Sequence, residues 1–93
     1  MKTKNEMQRK YLDRIFGSYI IENVYSRRGY ISENVGELAK LRGESEEYVL
    51  LSIKDGLEEQ IEAGAVPKTN LSKVLIVDED LTEILKTKEE VHA

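Results

Sequence analysis

The chain has 93 residues, a net charge of −4, 34% charged residues and no cysteine. This length supports a single domain with a modest core, and the lack of cysteine excludes disulfides and thiolate metal sites. Residues 1–6 lack the apolar run of a signal peptide, and no apolar stretch approaches the roughly 20 residues that span a bilayer. We therefore expect a cytoplasmic protein with no membrane partner.

The charge is distributed unevenly along the chain. Residues 1–43 carry nine Lys or Arg and five Asp or Glu, a net charge of +4. Residues 44–93 carry five Lys or Arg and thirteen Asp or Glu, a net charge of −8. Such an asymmetry can place a basic surface opposite an acidic one. Alternatively, both halves form ordinary solvated helix faces, and the sequence leaves the two interpretations open.

The longest helical pattern covers approximately residues 5–27. Apolar side chains recur there at helical spacing from Met7 to Val24, on a face opposite Arg9, Lys10 and Arg14. The apolar stripe is broad for so small a domain, so part of it is predicted to form a homodimer interface. The residues predicted for that interface are Ile15, Phe16, Tyr19 and Ile20.

The middle of the chain, approximately residues 34–63, predicts two helices joined by a tight turn. These are the second and third predicted helices of the chain. A short β-prone segment at residues 30–32 precedes them, and Asn34 with Glu37 forms a capping-box pattern. Gly43 can adopt the left-handed conformation that ends the second helix, and Ser45 can cap the third. Core positions of the third helix are predicted at four-residue spacing: Val49, Ile53, Leu57 and Ile61.

The C-terminal third predicts a β-hairpin over residues of about 65–77. An apolar, partly β-branched run at residues 74–77 follows a polar turn, and Pro67 fits an edge strand because it cannot donate to the ladder. Asp78 or Asp80 is then predicted to cap a helix over residues of about 79–87. The remaining residues are predicted to be a frayed tail.

These features together resemble a known family. The segments Glu37-Leu38-Ala39-Lys40, Gly43 and Ser45-Glu46-Glu47, with Val49 and Ile53, are similar to those of helix-turn-helix and winged-helix proteins. The resemblance covers residues of about 30–85. It implies an α+β winged helix-turn-helix fold, mostly helical with a small two- to three-stranded sheet, in which the hairpin is the wing.

The resemblance also implies a dimeric transcriptional regulator that binds double-stranded DNA. Cations bordering the DNA-facing surface would contact phosphates, which supply most non-specific affinity. Those candidates are Arg27, Arg28, Lys40, Arg42, Lys68 and Lys73. Side chains of the third helix would reach base edges, and the candidates there are Ser45, Tyr48, Ser52 and Lys54.

An alternative function follows from the acidic character of the third helix. Carboxylates stand at positions where a helix that reads a DNA groove would normally carry Arg, Lys, Asn or Gln: Glu46, Glu47, Asp55, Glu58, Glu59 and Glu62. Leu51 is near these carboxylates and lies outside the predicted core stripe. The same fold can therefore be a protein-interaction module that uses this acidic surface and has no direct DNA contact.

Catalytic chemistry is not indicated. His92 is the single histidine and lies near the end of the chain. The sequence contains no Gly-rich phosphate loop and no nucleophile motif, and the carboxylates have the spacing of exposed helix faces. We expect no enzymatic activity, no metal site and no cofactor.

Overall fold

The computed structural model describes residues 3–66 and 70–92. It contains the helices α1 (Lys4–Phe16), α2 (Val24–Arg42), α3 (Glu46–Glu62) and α4 (Leu71–His92), with a 3-10 helix (Ser18–Ile20) between α1 and α2. Helix α2 is central: it packs against α1 and α3 and contacts α4, which also lies along α3. The residues described contain no β-strand, so the predicted α+β winged-helix fold is wrong and the domain is helical.

The predicted helix over residues 5–27 is interrupted between α1 and α2. Helix α1 ends where the Gly17 amide donates to the Asp13 carbonyl at 2.8 Å. The buried Ser18 hydroxyl then donates to the Ile15 carbonyl at 2.7 Å and leads into the 3-10 helix. Asn23 starts α2, because its side-chain oxygen accepts from the Ser26 amide at 3.0 Å. The predicted single helix is wrong, because α1 ends at Gly17 and Asn23 caps a separate helix.

Helix α2 runs without a break through the segment predicted to be a strand and a cap. Ile31, from the predicted strand at residues 30–32, is fully buried on the core face of α2 together with Val35 and Leu38. The Asn34 side chain does not cap a helix: its Nδ2 donates to the Tyr30 carbonyl at 2.8 Å, one turn earlier in the same helix. Both predictions are wrong, since burial of a helical stripe outweighs the local β preference of three residues.

The turn between α2 and α3 has the predicted local geometry. Gly43 adopts φ 68° and ψ 34°, the left-handed conformation, and the Glu44 amide donates to the Ala39 carbonyl at 3.0 Å. The Ser45 hydroxyl accepts from the Tyr48 amide at 3.1 Å and so caps α3. The roles predicted for Gly43 and Ser45 are therefore confirmed.

The predicted hairpin over residues 65–77 is replaced by the first half of α4. Val77, Leu81 and Ile84 are buried at helical spacing, whereas Leu75 is 51% exposed. In a strand, Leu75 and Val77 would share a face. Of the predicted hairpin, residues 67–69, including Pro67 and Lys68, lie outside the described residues. The last helix is also longer than the predicted 79–87, because α4 begins at Leu71 and ends at His92.

The core forms where all four helices meet around α2. Three of the four positions predicted for α3 are buried, Val49, Ile53 and Leu57, while Ile61 is partly buried against the cluster. Leu50 is buried as well, which widens the core face of α3 beyond the predicted stripe. The buried apolar set is Ile15, Ile31, Val35, Leu38, Ala39, Val49, Leu50, Ile53, Leu57, Val77, Leu81 and Ile84.

Candidate functional site

Two of the cations predicted to bind DNA are paired inside the protein. Arg27 binds both carboxylate oxygens of Asp80 through Nε and Nη2, and its Nη1 donates to the Ile21 carbonyl at 3.1 Å. Arg28 Nε donates to the same carboxylate at 3.0 Å. Asp80 is buried, at 1% exposure, and its hydrogen bond raises the pKa of Arg27 above the usual range. These two arginines therefore join α2 to α4.

The other cations predicted to bind DNA do not share a partner. Lys40 lies 3.8 Å from Glu37 and its side chain is 80% exposed. Arg42 Nε lies 3.1 Å from Glu44. Lys73 Nζ lies 4.7 Å from the centre of the Tyr19 ring, a distance typical of a cation–π contact. Lys68 lies outside the described residues.

The four side chains predicted to read bases all belong to the start or middle of α3, and their positions differ. Ser45 is occupied as the N-cap of α3. Tyr48 is exposed, and Ser52 lines a groove beside α1. Lys54 is paired with Glu58 and lies 3.6 Å from Asp78, and the Glu58 hydrogen bond raises the pKa of the ammonium group. Of these four, Tyr48 presents most surface.

The exposed side of α3 combines apolar and acidic groups. Because Val49, Leu50, Ile53 and Leu57 point into the core, residues spaced alternately by three and four along the opposite side form one stripe. We call this stripe the outer face of α3, formed by Tyr48, Leu51, Asp55, Glu58 and Glu62.

Two apolar side chains and two free carboxylates characterise the outer face of α3. Tyr48 and Leu51, one turn apart, are 55% and 43% exposed. Within the part of the chain that the structure describes, Asp55 and Glu62 form no ion pair, whereas Glu58 is paired with Lys54. An apolar pair flanked by unneutralised carboxylates can bury its side chains against an apolar surface and pair its charges with cations.

The residues predicted for a dimer interface divide between the core and the surface. Ile15 is fully buried inside its own chain. Phe16 and Ile20 remain 39% and 73% exposed, and Tyr19 is half-buried beneath Lys73. The structure therefore brings Phe16, Tyr19 and Ile20 to the surface and assigns Ile15 to the core.

Asp80 and Gly56 are two positions that the sequence-based prediction missed. Asp80 was expected to be a helix cap, but it lies inside α4 between the buried residues Val77 and Leu81. The available signal was an acidic residue on the apolar stripe of a helix, which requires a cationic partner. Gly56 lies in the interior of α3 beside open space, and the signal available in the sequence was a glycine in the middle of a predicted helix.

No family model, curated protein or solved structure matches this chain. None of the helices, over residues 3–66 and 70–92, has the length and apolar content needed to cross a membrane.

Proposed function

We propose that this protein is a small helical protein-interaction domain that binds a basic partner segment on the outer face of α3. The observation that carries the proposal is the exposed pair Tyr48 and Leu51 beside Asp55 and Glu62, two carboxylates that form no ion pair with any residue of 3–66 or 70–92. A few residues supply most of the affinity in protein interfaces, and Tyr is enriched among them, while surrounding charges select the partner and steer its approach.

The charge of α3 identifies the partner chemistry. Residues 46–62 contain six Asp or Glu and one Lys, a net charge of −5. A partner with Lys or Arg beside apolar side chains, such as a basic amphipathic helix, satisfies both features of the outer face. This mode of binding needs no rearrangement of the domain, because Tyr48 and Leu51 are already exposed.

Binding to such a probe peptide is tested by fluorescence anisotropy of a labelled Lys- and Leu-rich amphipathic helix. Leu51→Asp is expected to weaken binding at least tenfold, about 1.4 kcal/mol, because it replaces an apolar anchor with a desolvated charge. The matched control is Leu75→Asp, which changes a leucine of similar exposure on α4. Equal affinity of the two variants would contradict the proposal.

The geometry of the α2–α3 turn favours a second candidate function, binding of duplex DNA. The left-handed Gly43 and the capping Ser45 join two helices by a short turn, as in helix-turn-helix units. In that case α3 would enter a groove, and Asp55 and Glu62 would be repelled by phosphates.

One double variant separates the two candidates. Asp55→Asn combined with Glu62→Gln removes two negative charges and keeps the side-chain shapes. Under the protein-binding proposal, this variant binds the basic peptide more weakly and duplex DNA stays unbound. Under the DNA-binding candidate, the variant binds duplex more tightly, with the larger gain at low salt.

A further inference from the structure

Helices α1 and α3 leave an open groove between them. Both pack on α2, and the space between them has a volume of about 250 Å³. Leu12 and Phe16 form the α1 wall, and Ser52, Gly56 and Gln60 contribute to the α3 wall. A Cβ atom added at Gly56 would meet no other atom within 4 Å. The glycine therefore keeps the α3 wall low and the groove open to an incoming side chain.

Phe16 forms a ridge beside this groove. Phe16 is 39% exposed, and it lines a second depression on its other side together with Tyr19 and Val74. Ile20 extends the exposed apolar surface at 73% exposure. An apolar ridge beside a groove can be self-complementary, because a two-fold axis between them places each ridge against the opposite groove.

The charges bordering the groove are complementary across such an axis. Arg9 lies on the groove side of α1, three residues before Leu12 and seven before Phe16. Glu59 lies on the groove side of α3, three residues after Gly56. Among the described residues, neither Arg9 nor Glu59 forms an ion pair within the chain.

The net charges of the two helices agree with this arrangement. Helix α1 contains four Lys or Arg and two Asp or Glu, a net charge of +2, whereas α3 has a net charge of −5. A second copy that places its α1 along this α3 brings opposite charges together at both ends of the contact. The α3 side chains that line the groove are uncharged, so the charges that can pair with another copy are those at its border, Arg9 on α1 and Glu59 on α3.

We propose that the groove between α1 and α3 is a self-association surface. Two copies pair about a two-fold axis, the Phe16 ridge of each copy packs over Gly56 of the other, and Arg9 faces Glu59 of the second copy. This surface lies beside the outer face of α3 and does not include Leu51. Self-association and partner binding are therefore separable by mutation.

Sedimentation equilibrium of the full chain across micromolar to high-micromolar concentrations tests the groove. Wild type is expected to be a dimer, and Gly56→Gln is expected to raise the dimer Kd at least tenfold because its side chain fills the groove. Gly29→Gln is the matched control, since a Cβ at Gly29 on α2 also meets nothing within 4 Å. A monomeric wild type, or a Gly56→Gln variant that dimerises like Gly29→Gln, would overturn the proposal.

A charge exchange tests the symmetry of the pairing. Arg9→Glu and Glu59→Arg should each weaken self-association, because like charges then face each other twice. An equimolar mixture of the two variants should form a heterodimer, in which both contacts are opposite in sign. A mixture no more associated than the separate variants would overturn the two-fold arrangement. Leu51→Asp is expected to leave the dimer unchanged, so that failure of this proposal is distinguishable from failure of partner binding.

Discussion

Asp80 links the two halves of the chain through a buried ion pair between α4 and α2. Its buried carboxylate accepts from two arginines of α2, and three donors surround its two oxygens. An ion pair of this kind adds little over a well-packed apolar contact. Removal of one partner is costly, however, because it leaves the other charge without compensation in a partly buried site.

Asp80→Asn is therefore expected to lower the free energy of unfolding by about 3 kcal/mol, near the low end of the range for breaking a buried pair. The low end of the range applies because the Arg28 side chain is 30% exposed to solvent. Urea denaturation measures the loss. The control is Glu89→Gln, an exposed acid on the same helix, for which a change within about 0.5 kcal/mol is expected. A similarly small change for Asp80→Asn would contradict this role.

Lys54 makes the free energy of unfolding depend on pH in the alkaline range. The Glu58 hydrogen bond, with a further contribution from Asp78, raises the pKa of Lys54 in the folded protein. The stabilisation is complete below the unfolded-state pKa of about 10.4 and is lost as the pH rises through the higher folded-state pKa. The stability difference between wild type and Lys54→Met should therefore be larger at neutral pH than at about pH 11.

Urea denaturation at both pH values measures that difference. Lys86→Met is the control, because the Lys86 side chain is 62% exposed and its pairing with Glu83 is screened by solvent. Its effect on stability should be small at both pH values. A Lys54→Met effect that stays constant or grows with pH would exclude this coupling.

At the scale of elements, helix α4 decides the fold class. A strand places Leu75 and Val77 on one face, whereas the helix exposes Leu75 and buries Val77. Val77→Asp is expected to unfold the domain, since a buried unpaired carboxylate costs several kcal/mol. Leu75→Asp should change stability by no more than about 0.5 kcal/mol. Thermal unfolding followed by circular dichroism measures both, and equal losses would contradict the helical assignment.

The elements that could be predicted from sequence are those with strong local signals. The α2–α3 turn was predictable because Gly43 and Ser45 have conformational and capping preferences that act within a few residues. The run at residues 74–77 was ambiguous, because a short apolar segment fits a buried strand and a buried helix equally well. Its extension to Leu81 and Ile84 at helical spacing was the signal for a helix.

The candidate site was predictable in composition but not in arrangement. The acidic character of α3 and the position of Leu51 outside the core stripe are visible in the sequence. The pairing of Arg27 and Arg28 with Asp80 is not, because it joins residues more than 50 positions apart. The groove beside Gly56 likewise depends on how α1 and α3 pack on α2.

At the scale of the whole molecule, basic and acidic side chains differ in how they are paired. Two cations of the N-terminal half are bound to Asp80, while the outer face of α3 keeps Asp55 and Glu62 unpaired among the described residues. Net repulsion from a polyanion and attraction for a polycation follow from that distribution. The whole-molecule surface thus supports the proposal of a basic protein partner.

The most direct test of that proposal is an NMR titration of the labelled protein with the basic amphipathic peptide and, separately, with duplex DNA. The peptide is expected to shift the amide signals of Tyr48, Leu51 and Asp55 on the outer face of α3, and duplex at the same concentration is expected to leave them unchanged. Shifts at α3 caused by the duplex, with none caused by the peptide, would contradict it.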